Sequence, residues 1–269
     1  MKIGPQTHRH TAISASNAAT IIVRGRDLTR ELIGKIDFTE YFWLLVTGAV
    51  PTKPQRQVLD ATLVAIAEHG LVPSVQASRM TLAAAPEALQ GAVAAGILGC
   101  GSVVLGSAEA AGKFFATIEQ RRDSGATLDE AISAVVLELK AARRAVPGYG
   151  HPLHRGGDPR ARRLLEIASE TGTAGRYSAV AVRVEELLPT LIGKELTLNV
   201  SGAIPAVLLD AQFPVGALKG IPILARTAGL IAHLLEEQLR PVGFVLAHAA
   251  EGAVTYDGPA PADFRPSEE

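Results

Sequence analysis

An all-α fold is what this sequence predicts, and three observations predict it. Ala, Leu, Val and Ile fill the chain while aromatic residues make up only 4% of it. Small aliphatic side chains suit helix-on-helix packing better than sheet-on-sheet packing. No stretch joins clean period-two alternation to an Asn-Gly or Asp-Gly hairpin turn. Helix-start signals, by contrast, recur along the whole length.

Asp37 and Glu40 have capping-box spacing ahead of Tyr41-Phe42-Trp43-Leu44-Leu45-Val46, and Gly48 and Pro51 stop that helix. Thr52 and Gln55 repeat the spacing before an apolar stripe at Val58, Leu59, Leu63 and Ile66, which ends at Gly70. The segment Leu89 to Gly106 is apolar but carries five glycines, so it reads as a buried or interface helix where backbones approach closely. Thr127 and Glu130 open a helix with Ile132, Val135, Val136 and Leu139 on one stripe. Asp158-Pro159 is an N-cap followed by proline at the first helical position, and Gly172 closes that helix. Gly220 to Leu239 is apolar on more than one face and reads as a central helix. The tail from Glu251 has the composition of a solvated arm.

Composition excludes several functional classes. At 269 residues the chain has room for one large domain or one domain with a smaller partner. It carries 26 Lys and Arg against 27 Asp and Glu, so it lacks the one-sign field of a nucleic-acid or polybasic membrane binder. A hydrophobic fraction of 48% with 20% charged residues excludes disorder. The one cysteine, Cys100, excludes a disulfide framework and a thiolate zinc cluster. Residues 1–10 are polar and basic, without the apolar core of a signal peptide, so a reduced, cytoplasmic compartment is the default expectation, with no membrane span and no nucleic-acid partner.

The loop from Val146 to Arg160 concentrates the chemistry. It holds four glycines, His151, His154, Arg155 and Arg160, and it runs into a helix start, where backbone N–H groups favour an anion. The same features fit a plain surface connection with a good N-cap. A metal at His151 and His154 is disfavoured. No carboxylate or cysteine stands at ligand spacing nearby, and Pro152 forbids a regular helix across the pair. His69, just before Gly70, has the position of a cation at a helix C-terminus. Arg226 lies in an otherwise apolar helix, where a guanidinium must hold either a structural carboxylate or an anionic ligand. His233 reads as structural.

These segments together resemble the citrate synthase superfamily. The resemblance is carried by Val146 to Arg160, by Val23 to Leu28 with Tyr41 to Gly48, and by Ala225 to His233. The length and the stretch Leu198 to Ile204 are most similar to citryl-CoA lyase and to the citrate-synthase-like module of ATP-citrate lyase. The resemblance implies an all-helical homodimer, with a discontinuous large domain of residues 1–106 and 219–269 and a small domain of residues 107–218. It also implies metal-free cleavage of citryl-CoA, or of a related 3-hydroxy-acyl-CoA, to acetyl-CoA and oxaloacetate.

By the same resemblance, His151 contacts the oxygen on the tertiary carbon of the citryl group and accepts its proton, a role suited to imidazole. His69, in the Glu68-His69-Gly70 motif, binds the oxaloacetate portion. Arg160 and Arg226 clamp its carboxylates. Pro147, Gly148, Tyr149 and Gly150 read the adenine of coenzyme A through the backbone, and Arg155 falls at a phosphate contact.

Two positions depart from the family. Leu105 stands where citrate synthases have the enolate-stabilising histidine, which disfavours citrate or methylcitrate synthase activity and is compatible with the lyase branch. Ser201, in Asn199-Val200-Ser201-Gly202, stands where the family has its proton-transferring aspartate. Asp210 lies too far along the same helix to replace it. Ser201 also fits a plain helix cap ahead of Pro205. The paired departures leave open a CoA-thioester and carboxylate binder that no longer turns over.

Overall fold

The computed structural model describes residues 9–101, 107–150, 157–261 and 263. Those residues are mostly helical and form two compact units, one of residues 1–66 with 105–222 and the other of residues 67–104 with 223–269. This division joins the N-terminal segment to 105–222, whereas the sequence reading joins it to the C-terminal segment.

The first unit opens with a small antiparallel sheet, β1 (Ser14–Ser16), β2 (Ile21–Val23) and β3 (Arg26–Asp27), ordered β1-β2-β3. It is a departure from the expectation of no hairpins. The β2–β3 turn is Arg24-Gly25, with both residues at positive φ (48° and 81°), the geometry that Asn-Gly usually supplies. The left-handed Arg24 is held because its guanidinium grips the Leu45 carbonyl through Nε at 2.9 Å and Nη2 at 2.5 Å. The β1–β2 turn is closed by the Asn17 side chain, which accepts from the amides of Ala19 and Thr20.

Helices follow where the caps place them. In α1 (Phe38–Thr47) the Asp37 amide donates to Glu40 Oε2 at 3.0 Å, and Gly48 ends the helix at φ 83°. In α2 (Lys53–Ala67) Thr52 and Gln55 cap each other, as do Thr127 and Glu130 in α6 (Leu128–Ala141). A core of Val23, Leu32 and Leu44 seats the sheet against α1, and Trp43 packs edge-on against Phe213.

The most buried helix is α9 (Val200–Asp210), in which Val200 and Gly202 to Leu209 are all buried. It packs against α5 (Ser107–Asp123), α7 (Pro159–Glu170) and α8 (Arg176–Ile192). Gly112 of α5 allows close packing here, because a Cβ would lie 2.3 Å from the Leu218 side chain and 3.2 Å from Pro205. At the end of α9, Asp210 accepts from the amides of Gly175, Tyr177 and Ser178 at 2.8–2.9 Å, so it caps α8.

The second unit holds α3 (Pro73–Ala84), α4 (Leu89–Leu98), most of α10 (Gly220–Leu239) and α11 (Gly243–Gly252). Gly96 of α4 sits where a Cβ would meet Leu230 at 2.7 Å and the Ser74 carbonyl at 2.9 Å, which is the close approach its glycines predict. With the turn before it, α10 is long and apolar enough to cross a bilayer. It is less central than its sequence suggests, since Ile221, Ala225, Arg226, Leu230, Leu234 and Glu237 are buried but Ile231, Leu235 and Leu239 are exposed. The C-terminal tail stays helical to Gly252, beyond the Glu251 start expected for the solvated arm.

Candidate active site

In the first unit, three segments that carry expected site residues are stitched into one corner. Gly148 and Gly150 have φ of 88° and 81°, and the loop backbone they shape runs beside the residues leading into α9. The Asn199 amide donates to the Gly148 carbonyl at 3.0 Å, the Gly150 amide to the Thr197 carbonyl at 2.7 Å, and Asn199 Nδ2 to the Gly150 carbonyl at 2.7 Å. A Cβ on Gly148 would lie 2.7 Å from Gly202 Cα, and one on Gly202 would lie 2.6 Å from the Gly148 carbonyl oxygen. Both positions need glycine. Tyr149 anchors the loop: its ring lies edge-on to Phe114 and Phe115, and its hydroxyl donates to the Ala181 carbonyl at 2.8 Å. Burial, with Glu185 adding, pushes that phenol well above its usual range, so Tyr149 stays protonated and structural.

Asp158 ties the third segment in. Its buried carboxylate caps α7 at the Arg160 amide (3.0 Å), takes Arg160 Nε and Nη2 at 3.0 and 2.9 Å, and accepts the Val200 amide at 3.0 Å. Burial alone would raise its pKa. The Arg160 guanidinium and the Val200 N–H outweigh that and hold it below the ordinary 3.8. Arg160 and Ser201 therefore meet the loop at one place, through Asp158 and Val200. Asn199, not Ser201, is the N-cap of α9, since its side chain accepts the Gly202 amide at 3.2 Å. Ser201 sits half-buried in the first turn, where capping does not explain it.

Beside this loop opens a cavity of about 450 Å³ whose charged lining residues, Lys140, Arg143, Arg144 and Lys194, are all cationic, with Val146 and Tyr149 supplying apolar wall. Sequence reasoning missed these four. The run Lys140 to Arg144 was legible as a basic helix end, but nothing local shows that Lys194 joins it.

In the second unit the expected residues lie along one face of α10 and the turn after α2. Arg226 is 3% exposed, and its Nε and Nη1 have no hydrogen-bond partner among the described residues. Two buried N–H groups left unpaired on an ionised side chain carry a desolvation penalty that a ligand could offset. Burial pushes the neighbouring Cys100 thiol up, against the weaker opposing charge of Arg226, so the cysteine is a poor nucleophile. One turn beyond Arg226, Gly229 passes so close to α2 that a Cβ would lie 2.1 Å from the Ala67 carbonyl oxygen. One turn further, His233 Nε2 is 2.8 Å from Glu68 Oε2. His69 follows Glu68 in the turn, and Gly70 there has φ 69°. His151, Arg155 and Leu105 lie outside the described residues. Among the described residues no group of three or more His, Cys, Asp and Glu is placed to hold a metal ion.

Residues 55–242 match the family described as citrate synthase, C-terminal domain. Putative citrate synthase 2 of Mycobacterium tuberculosis is 30% identical over 219 residues, covering 78% of this chain and 54% of that protein. Citrate synthase-like protein oryE of Aspergillus oryzae is 27% identical over 229 residues, 81% of this chain and 49% of that one. The chain thus spans about half the length of the curated relatives it matches. Among solved structures, citryl-CoA lyase from Hydrogenobacter thermophilus superposes with a TM-score of 0.83 at 31% identity, covering 95% of this chain and 97% of that one. ATP citrate lyase from Methanothrix soehngenii, in complex with citrate and coenzyme A, superposes at 0.74 over 99% of this chain and 44% of its own; at 22% identity it supports the fold alone.

Proposed function

Since the chain belongs to the citrate synthase family, we propose that it is a lyase of the citryl-CoA type, releasing acetyl-CoA and oxaloacetate from citryl-CoA or a related 3-hydroxy-acyl-CoA. The observation that carries this reading is Arg226, a buried guanidinium whose Nε and Nη1 have no partner among the described residues and whose cost a substrate carboxylate would offset. The near end-to-end match to a lyase of similar length supports it.

In this reading Arg226, His69 and Arg160 hold the carboxylates. The cationic cavity takes the phosphates of coenzyme A, and the backbone of Pro147 to Gly150 takes its adenine. His151 accepts the proton of the tertiary hydroxyl. As the alkoxide becomes the ketone of oxaloacetate, the breaking carbon–carbon bond leaves its electron pair on the acetyl-CoA enolate. A proton from solvent, relayed past Ser201, completes acetyl-CoA. No metal takes part. A homodimer is part of the proposal, supported by the exposure of the large apolar residues Ile231, Leu235 and Leu239 on α10 and Phe244 and Val245 on α11, side chains that a second copy would cover.

One observation favours a second reading, a CoA-thioester and carboxylate binder without turnover. Ser201 lacks a carboxylate, and Asp210 is spent on three amides of α8.

The test is to mix the purified protein with (3S)-citryl-CoA and follow oxaloacetate through malate dehydrogenase and NADH oxidation. Steady release is expected. No release with any of several acyl-CoA substrates overturns the lyase reading, and calorimetry with coenzyme A and oxaloacetate then decides the second. Ser201→Asp is expected to raise kcat by about 10²- to 10⁴-fold, the usual range for a positioned acid–base group. Loss of the native activity in that variant would assign Ser201 to different chemistry.

A further inference from the structure

We propose that His233 and Glu68 are positioning residues that set the backbone, and with it the imidazole, of His69. The inference rests on the reading of His69 as a substrate ligand.

Three observations lead to it. The Glu68 carboxylate is turned back onto its own chain: Oε1 accepts the Gly70 amide at 2.5 Å, while Oε2 meets His233 at 2.8 Å. Burial would raise the pKa of Glu68, but the His233 hydrogen bond, the Gly70 amide and a backbone contribution from His69 outweigh it, so the carboxylate stays ionised and gathers donors from both residues that follow it. The partner is aimed by the helix rather than by chance. Gly229 brings α10 against the end of α2 at Ala67, and His233, four residues on, faces the same way. Arg226 precedes Gly229 by three residues on that face, so one helix carries both the guanidinium whose Nε and Nη1 have no partner among the described residues and the side chain that meets the His69 turn. Finally, the pair is poorly placed to stabilise the fold: the Glu68 side chain is 54% exposed against 14% for His233, and polar pairs with one partner that open to solvent contribute little to stability. What the pair does accomplish is to tie the glycine-containing turn that carries His69 to α10.

His233→Leu removes the hydrogen bond, and His233→Gln keeps a donor for Glu68. The readouts are oxaloacetate affinity by calorimetry, KM and kcat for citryl-CoA, thermal midpoint, and the His69 ring signals in ¹⁵N-histidine-labelled protein, identified by their loss in His69→Gln. His233→Leu is expected to shift the His69 signals and to weaken oxaloacetate binding and raise KM by roughly tenfold to a hundredfold, the scale of a misplaced group in a site. The midpoint should stay put, and His233→Gln should recover most of the loss. Unmoved His69 signals with unchanged affinity in His233→Leu overturn the positioning role while leaving the lyase reading intact. A wild-type protein that binds no oxaloacetate overturns that reading instead, and the His69 signals in His233→Leu still decide whether the pair sets the turn.

Discussion

Arg79 and Arg226 are both 3% exposed, and both belong to the unit that contains most of α10, yet their surroundings are opposite. Arg79, on α3, donates Nε to Glu237 at 2.6 Å, Nη1 to Glu236 at 2.7 Å and Nη2 to the Arg240 carbonyl at 3.0 Å. Glu237 in turn accepts the amides of Val242 and Gly243, closing the corner where α10 turns into α11. At Arg226, Nε and Nη1 have no such partners among the described residues. The contrast separates a buried charge that the fold answers from one whose Nε and Nη1 the described residues leave unanswered. The first is architecture, and the second is the one proposed above to meet a substrate carboxylate.

The comparison breaks most visibly at Arg79. Arg79→Ala leaves Glu237 buried without its cation, and urea titration should show a loss of about 3–5 kcal/mol. The matching change at Arg226 sharpens it. Arg226→Met keeps length while removing an unsatisfied charge, so the thermal midpoint should hold or rise. Oxaloacetate affinity by calorimetry should fall by about 10²-fold or more, on the scale of a lost charge-assisted hydrogen-bond pair. A large loss of stability there would mean that the fold does answer this arginine.

Arg160 stands between the two cases, since it pairs with Asp158 while its side chain remains 25% exposed. Asp158→Asn should cost about 2 kcal/mol, the size of a charged hydrogen bond. Because the folded pKa of Asp158 is depressed, its contribution is fully present above the ordinary value of 3.8 and is lost as pH falls through the lower folded value. Denaturant titrations at neutral pH and below pH 3.8 should therefore show the gap between wild type and Asp158→Asn shrinking with acid.

How much of this was legible in the sequence follows from how far each interaction reaches. The reciprocal caps at Asp37 and Glu40, Thr52 and Gln55, and Thr127 and Glu130 span three residues, and the cap Asp158 gives α7 spans two; all could be read directly. The Arg24-Gly25 turn escaped because its strained residue is held by a carbonyl 21 positions away. Arg226 was legible as a charge that needs an explanation, and the choice between carboxylate and ligand depended on which acids lie near it in space. Arg79 gave no hint, because Glu237 is 158 positions away. Ser201 drew attention as a motif residue, but capping by Asn199 became visible only with the backbone in hand. Lys194 and the end of α6 converge by tertiary packing that no periodicity records.

Asp210 has a consequence for the order in which the chain acquires its structure. The start of α8 has no capping side chain of its own at Gly175, and its first amides are met by a carboxylate about 33 residues downstream. During synthesis residues 176–192 leave the ribosome before that carboxylate exists, so water must satisfy those amides until α9 docks. A nascent chain halted short of residue 210 should accordingly have a frayed, protease-sensitive α8, and release of the halt should close it.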